Sequence, residues 1–150
     1  MARDTYSGPE DCNCLAVRQA ARHITQFYDQ LLTPSGLRTT QFSILAKLRR
    51  LGPMTINALA AEMVMDRTTL GRNILPLERD GLIRIAPVAG DRRAKELHLT
   101  KAGAKRLQGA LKEWAAAQSR FEERFGPKRA TELRATMRAV VATELDAAHS

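Results

Sequence analysis

The sequence is poor in the features that many secreted and membrane proteins share. It contains only two cysteines, and aromatic residues make up 5% of its 150 residues. It has no run of about 18 or more apolar residues. Its N-terminal segment carries charges where a signal peptide needs an apolar stretch. Neither membrane insertion nor secretion is therefore expected.

Motifs of common enzyme classes are missing as well. The chain has no glycine-rich nucleotide fingerprint, no Gly-x-Ser-x-Gly and no His-Glu-x-x-His. Its two cysteines and three histidines, His23, His98 and His149, do not form a complete zinc pattern. The sequence predicts neither an enzyme nor a protein that needs a metal or another cofactor.

Positive charge is what the chain has in excess. Lysine and arginine number 24 against 16 acidic residues, which gives a formal net charge of +8. Such a balance suits an anionic partner, although basic surfaces are often only solvated faces. The hydrophobic content of 44% and the length fit one globular domain.

The most informative stretch runs from Thr55 to Thr100. Thr55 is a helix N-cap candidate for a helix through Met65, and Asp66 caps a second helix that begins almost at once. The second helix is predicted to bury Leu70, Ile74, Leu75 and Leu77. Its first two turns carry a polar cluster, which comprises Arg67, Thr68, Thr69, Arg72 and Asn73. Such side chains reach phosphates and base edges when a helix enters the major groove.

A β-hairpin is predicted after these helices. Asp80-Gly81 ends the second helix, and residues 82–85 and 96–99 form two strands with Met54 as a one-residue stub beside them. The chain is expected to turn between Pro87 and Arg93, with residues 90–93 at the tip. Two helices followed by such a hairpin indicate a winged helix-turn-helix.

These residues carry a family resemblance. MDRTTLGRNILPLERDGLI followed by GDRRAKELHLTKAG resembles the recognition helix and wing of the MarR family of bacterial transcription regulators. The wing has Asp91 and Arg93, and the next helix opens with Leu99, Thr100 and Gly103. The resemblance implies a cytoplasmic regulator of transcription. Pro76, which should bend the recognition helix, and the Cys-x-Cys at Cys12 and Cys14 depart from the family pattern.

Long helices flank the winged part. The predicted fold is mainly α with a small β-hairpin wing (α+β): a single domain over residues 1–150, after a loose arm at residues 1–11. Residues 39–99 form the DNA-binding lobe, with a helix capped by Thr39, and residues 12–32 and 100–147 form dimerisation helices.

The last helix has an apolar stripe, which comprises Leu133, Met137, Val140, Val141 and Leu145. A compact monomer could not easily bury these stripes, so we expect a homodimer on a pseudo-palindromic operator of double-stranded DNA, with recognition helices about 34 Å apart.

Roles can be assigned within the predicted DNA surface. Arg72 and Asn73 are expected at base edges, because guanidinium and amide groups pair bidentately with guanine and adenine. Thr68 and Thr69 are expected at phosphates, as are Thr55 and Asn57. In the wing, Arg92 or Arg93 should enter or flank the minor groove, and Asp91 should hold one guanidinium by a charge-assisted hydrogen bond. The alternatives are a solvated helix face and a structural salt bridge in an exposed turn.

Two regulatory sites are also considered. The resemblance implies an effector pocket for small aromatic acids or other lipophilic anions, for which the candidates are Arg22, His23, Phe27 and Trp114. Each of them could instead be an ordinary packing residue. Cys12 and Cys14 either sense an oxidant or are inert. On a helix they would point about 200° apart, so a bond between them would require the helix start to unwind.

Repression released by a ligand or by thiol oxidation is the first functional hypothesis. The alternatives are an architectural or non-specific DNA-binding protein and a winged helix used only for protein interaction.

Overall fold

The computed structural model describes residues 8–146, and it divides the chain into two compact units. The first unit ends at Trp114 and the second begins at Ala115. Residues 1–7 of the predicted N-terminal arm, His149 and the predicted end of the last helix at residue 147 lie outside the described residues. Across residues 8–146, none of the helices has the length and apolar character that crossing a membrane would require.

The first two helices lie within one residue of their predicted bounds. Helix α1 spans Asn13–Leu32 and helix α2 spans Thr39–Leu51. Thr39 was predicted as the cap of α2, which is wrong, because Arg38 occupies the cap position. The backbone N–H of Thr39 instead donates to Asp29 Oδ1 at 2.7 Å. This bond satisfies a donor that a helix start leaves free and ties the end of α1 to the start of α2.

Helices α2, α3 (Ile56–Met63) and α4 (Arg67–Arg79) contribute to the core of the first unit. Each contributes a fully buried leucine, and these are Leu45, Leu59 and Leu70. Ile74 and Leu77 continue the buried side of α4, as predicted. The prediction for Leu75 was wrong, because this side chain is 65% exposed. At 3.6 residues per turn, Leu75 points about 140° away from Leu70 and so leaves the core.

The turn between α3 and α4 ends α3 at Met63, two residues earlier than predicted. Val64 has φ 53° and ψ 48°, a left-handed conformation that is uncommon for a β-branched residue. The N–H of Met65 donates to the carbonyl of Ala60 at 2.9 Å, and that of Val64 donates to Ala61 at 3.2 Å. These two bonds form a Schellman motif, in which Val64 stands where glycine is usual.

The wing is an antiparallel sheet in which β3 (Asp91–Leu99) lies between β1 (Met54–Thr55) and β2 (Ile83–Val88). The predicted stub at Met54 is confirmed, since Met54 pairs with Leu97 and Thr55 pairs with Glu96. The strand β1 therefore joins the start of α3 to the middle of the wing.

The hairpin is longer than predicted. The turn expected over Pro87 to Arg93 was wrong, since only Ala89 and Gly90 separate β2 from β3. Pro87 lies opposite Lys95, but Val88 lies opposite Asp91, so the register shifts between these two pairs. Residues 92–94 of β3 consequently form a bulge near the tip of the wing.

A close junction connects the wing to helix α5 (Lys101–Phe125). The hydroxyl of Thr100 donates to the carbonyl of Gly81 at 2.6 Å and accepts from the N–H of Gly103 at 3.0 Å. A Cβ at Gly103 would collide with the backbone carbonyl oxygen of Leu82. Glycine is thus required where α5 passes Leu82, the residue directly before β2.

The second unit comprises the end of α5, the turn at Gly126 and helix α6 (Pro127–Ala142). Phe121 and Phe125 stack with ring centroids 5.3 Å apart, and the Arg129 guanidinium lies 4.1 Å from the Phe125 ring centre. Arg134 Nη1 donates to Glu122 Oε1 at 3.0 Å.

The apolar stripe predicted for the last helix does not hold at its end. Helix α6 ends at Ala142, so Leu145 lies beyond it and is 80% exposed. Leu133 and Met137 are half-buried, whereas Val140 and Val141 are exposed.

Candidate nucleic-acid interface

The start of α4 is fixed by its cap. Asp66 Oδ1 accepts from the backbone N–H of Thr69 at 2.8 Å, and Oδ2 accepts from the Thr69 hydroxyl, also at 2.8 Å. Two hydrogen bonds lower the pKa of the Asp66 carboxyl. The bond from the backbone N–H of Thr69 has the larger effect, and the bond from the Thr69 hydroxyl comes next. The hydroxyl of Thr69, predicted at a phosphate, therefore donates within the cap.

The outward face of α4 lies opposite its buried leucines. Thr68 and Arg72 are exposed there, and Arg67 is exposed at the first position of the helix, as the sequence predicted for the polar cluster. Asn73 is half-buried, and its Nδ2 donates to the carbonyl of Thr69 at 2.9 Å. Because part of the Asn73 amide is bonded to its own helix, Arg72 is the better placed of the two for a base edge.

Pro76 lies within α4, and the helix continues past it to Arg79. Proline has no N–H, so the carbonyl oxygen of Arg72 lacks the donor that an α-helix normally provides four residues later. The missing bond thus begins at Arg72, within the polar cluster, and ends one turn later at Pro76.

The tip of the wing is organised by a backbone bond. Asp91 Oδ1 accepts from the N–H of Arg93 at 2.9 Å. The predicted contact of Asp91 with a guanidinium is wrong, because no ion pair of Asp91 occurs within residues 8–146. The Asp91 carboxylate thus holds the backbone of the bulge, and the side chains of Arg92 and Arg93 are exposed.

A cleft of ≈ 420 Å³ lies between the wing and the helix-turn-helix. Its lining comes from the β1–α3 junction, the first residue of α4 and the bulge of β3, and comprises Thr55, Ile56, Asn57, Arg67, Arg93, Ala94 and Lys95. Three cationic side chains therefore meet there with the start of α3. The hydroxyl of Thr55 accepts from the N–H of Ala58 at 3.1 Å, which confirms it as the cap of α3. A cleft with this lining can bind a phosphate group through charge and hydrogen bonds.

Lys95 is the cationic residue of this cleft that the sequence prediction missed. Its neighbourhood depends on the pairing of β1 with β3, which brings Thr55 beside Glu96. The alternation of polar and apolar residues in β3 does not by itself show that Lys95 lies near Thr55. Extending the predicted stub at Met54 by one residue, to Thr55, would have placed Lys95 in the cleft.

The effector candidates lie apart from this cleft. Trp114 stacks on Phe42 with centroids 5.9 Å apart, and it packs against the core of the first unit. Phe27 meets the edge of Tyr28 at 5.9 Å, and Arg22 and His23 are exposed on α1. Each of the two aromatic rings therefore has a packing contact within the first unit.

The two thiols lie at the start of α1. Cys12 and Cys14 are both exposed and free. Cys12 is the N-cap, with extended backbone angles, and its Sγ accepts from the N–H of Leu15 at 3.4 Å. Cys12 thus lies just outside the helix, and Cys14 lies in its first turn.

Comparison with known proteins agrees with this architecture. A model of the MarR family matches residues 37–95, from the residues before α2 to the middle of β3. The helix-turn-helix regulator YwoH of Bacillus subtilis strain 168 is 33% identical over 92 residues, which are 61% of this chain and 66% of YwoH. The chain thus spans about two thirds of the length of that relative.

Solved structures extend the likeness over most of the chain. The transcriptional regulator MosR of M. tuberculosis, crystallised with DNA, is 38% identical, with a TM-score of 0.76 over 89% of this chain and 99% of MosR. CouR of Rhodococcus jostii RHA1, bound to p-coumaroyl-CoA, has the same fold at 20% identity, with a TM-score of 0.74 over 91% of this chain and 97% of CouR.

The family match covers the helix-turn-helix and part of the wing, and the likeness to MosR covers nearly all of that regulator. The chain belongs to the MarR family of winged helix-turn-helix, DNA-binding transcriptional regulators, which are not enzymes.

Proposed function

We propose that this chain is a homodimeric repressor that binds an inverted-repeat operator in the bacterial cytoplasm. The observation that carries the proposal is the meeting of Arg67, Arg93 and Lys95 in one cleft beside the exposed face of α4. Cations at that position can hold the DNA backbone while α4 lies in the major groove. MosR, which shares this architecture, was crystallised with DNA.

Each part of the surface has a distinct role in this proposal. Arg72 reads a base edge, because an exposed guanidinium on the outward face can pair with the O6 and N7 atoms of guanine. Thr68 and the cleft, which includes Thr55 and Asn57, contact phosphates. Arg92, at the exposed tip of the wing, reaches the minor groove, where a narrow groove attracts arginine.

Exposed apolar side chains support the homodimer. Leu15 and Val17 on α1 are each 42% exposed, and Val140 and Val141 on α6 are 44% and 62% exposed. A second copy of the chain would remove such surface from water, at about 25 cal/mol for each Å² buried. Two-fold symmetry would then place two recognition helices one turn of DNA apart, about 34 Å.

Footprinting on DNA that flanks the coding region tests the proposal. We expect one protected palindrome, and sedimentation at micromolar concentration should give the mass of a dimer. Diffuse protection would favour an architectural DNA-binding protein, and the mass of a monomer would contradict the proposed assembly.

Release from DNA by a small ligand is the second part of the proposal. CouR was crystallised with p-coumaroyl-CoA, so the fold admits an aromatic thioester. A ligand shifts the spacing of the recognition helices only if it binds their two arrangements unequally. Arg22, His23, Phe27 and Trp114 remain the candidate contacts. Thermal-shift screening with aromatic carboxylates and their thioesters should reveal a ligand that raises the melting temperature and weakens operator binding.

Oxidation of Cys12 and Cys14 is the other proposed release signal. Peroxide would convert one thiol to a sulfenic acid with loss of water, and attack by a second thiol would form a disulfide with loss of a second water. Because Cys12 caps α1, its oxidation would remove the Sγ acceptor of Leu15. We expect peroxide to weaken operator binding by the wild type but not by the double variant Cys12→Ser, Cys14→Ser. An equal loss in both proteins would exclude thiol chemistry there.

A further inference from the structure

An exposed leucine interrupts the polar outward face of the recognition helix. Leu75 is 65% exposed and lies in the third turn of α4, directly before Pro76. Single exposed apolar residues are common on protein surfaces, so exposure alone does not assign a role. Its position relative to the arginines of α4 is more informative.

Leu75 belongs to a stripe of residues three and four apart along α4. Thr68, Arg72 and Arg79 share this stripe, and all three are exposed. Side chains at these spacings lie on one face of a helix, so Leu75 has an arginine one turn before it and another one turn after it. The two arginines favour an anionic partner at this face. The leucine between them would then contact an apolar group of that partner.

Duplex DNA has one apolar feature in its major groove, the C5-methyl group of thymine. We infer that Leu75 packs against a thymine methyl group in each operator half-site and thereby contributes to sequence specificity. This inference rests on the proposed function, since it requires that α4 lies in the major groove.

The spacing along the helix predicts where the thymine lies. Leu75 is three residues beyond Arg72, a rise of about 4.5 Å. Base pairs are separated by about 3.4 Å, so the methyl group belongs to a base pair one or two steps from the one that Arg72 reads. The inference therefore names both a chemical group and its approximate position.

Replacing thymine by deoxyuridine removes only this methyl group and provides the test. Each thymine of the operator is replaced in turn, and affinity is measured for the wild type and for Leu75→Ala. For the wild type, one position per half-site should weaken binding about fourfold, the loss expected for one buried methyl group. Because the homodimer carries Leu75→Ala in both subunits, this variant should bind the natural operator about as weakly as the wild type binds an operator substituted in both half-sites, a loss of about sixteenfold, and should not respond to the substitution.

Two further variants control for folding and for side-chain type. Leu75→Met keeps an apolar side chain and should retain the response to deoxyuridine, whereas Leu75→Gln should lose it. Leu51→Ala removes another exposed leucine, which lies at the end of α2, and should respond as the wild type does. All variants should keep the helical circular dichroism of the wild type.

The outcomes separate this inference from the proposed function. If no thymine position responds in the wild type, or if Leu75→Ala responds equally, Leu75 does not contact a methyl group. Operator binding that still depends on Arg72 would then leave the proposed function intact. Absence of any operator selectivity in the wild type would overturn both.

Discussion

The carboxylate of Asp66 accepts both the backbone N–H and the hydroxyl of Thr69, each at 2.8 Å. This pair closes the first turn of α4, the turn in which Arg67 and Thr68 are exposed. The same bonds lower the pKa of the carboxyl, because they stabilise its charged form. The cap therefore determines the geometry of the proposed DNA surface before DNA arrives.

Asp66→Ala should lower the melting temperature at neutral pH and weaken operator binding, because the first turn of α4 loses its cap. Since the pKa of Asp66 is lowered in the folded state, its carboxylate stabilises the fold above about pH 4. That contribution is lost as the pH falls through the lowered pKa. The difference in melting temperature should thus be constant between about pH 5 and pH 8 and should narrow below about pH 4.

Glu123→Ala, at an exposed position on α5, is the control. A difference that persists unchanged in strong acid would show that the charge of Asp66 is irrelevant.

Arg93→Ala and Lys95→Ala should each weaken binding to the operator and to unrelated DNA by similar factors, because the cleft contacts the backbone and not the bases. Because the homodimer carries each substitution twice, each variant should reduce the slope of log affinity against log salt by about two, one for each subunit. Lys128→Ala changes an exposed lysine on α6 and should leave the slope unchanged. If the slopes of Arg93→Ala and Lys95→Ala matched the wild type, phosphate binding in the cleft would be excluded.

Two glycines of helix α5 should respond in opposite ways to alanine. Gly103→Ala should lower the free energy of unfolding by about 1–3 kcal/mol, since its Cβ would collide with the carbonyl of Leu82. Gly109→Ala should raise it by about 0.5–1 kcal/mol, because its added Cβ would meet nothing within 4 Å beyond the adjacent residues and backbone of its own helix, and alanine favours a helix. Urea denaturation at one fixed protein concentration measures both. Equal effects of the two substitutions would refute the close approach of α5 to Leu82.

Val64→Gly should stabilise the fold without changing operator affinity. The left-handed conformation of Val64 costs about 1–2 kcal/mol, whereas glycine adopts it freely but loses about 0.5–1 kcal/mol of chain entropy. The expected net gain is at most about 1.5 kcal/mol, measured as a shift of the urea midpoint. Val64→Ala retains the Cβ and should gain less. A lower midpoint for Val64→Gly would mean that the exposed valine makes a stabilising contact.

Local features of the sequence were enough to predict the helix-turn-helix. The caps Thr55 and Asp66 act on residues three positions away, and the buried leucines follow the helix period. The error at Leu75 arose because it directly follows Ile74 in an apolar pair, although only one of two adjacent helical residues can point straight into the core.

The wing was harder to predict because its details depend on pairing between distant residues. The bulge at residues 92–94 follows from the register of β3 against β2, which places Pro87 opposite Lys95. Asp91 then meets the N–H of Arg93, a backbone donor that residue types do not reveal. Lys95 joins the cleft only because β1 pairs with β3.

Selection of binding sequences from a random DNA pool, by the wild type and by Arg72→Ala, tests the proposed reading of DNA most directly. The wild type should select an inverted repeat whose half-sites are one helical turn apart. Arg72→Ala should lose about 1–3 kcal/mol of binding free energy in each half-site, together with the preference at one base pair per half-site, while Arg120→Ala, at an exposed position on α5, should lose neither. If Arg72→Ala selects the same sequences with the same affinity as the wild type, the outward face of α4 does not read the operator.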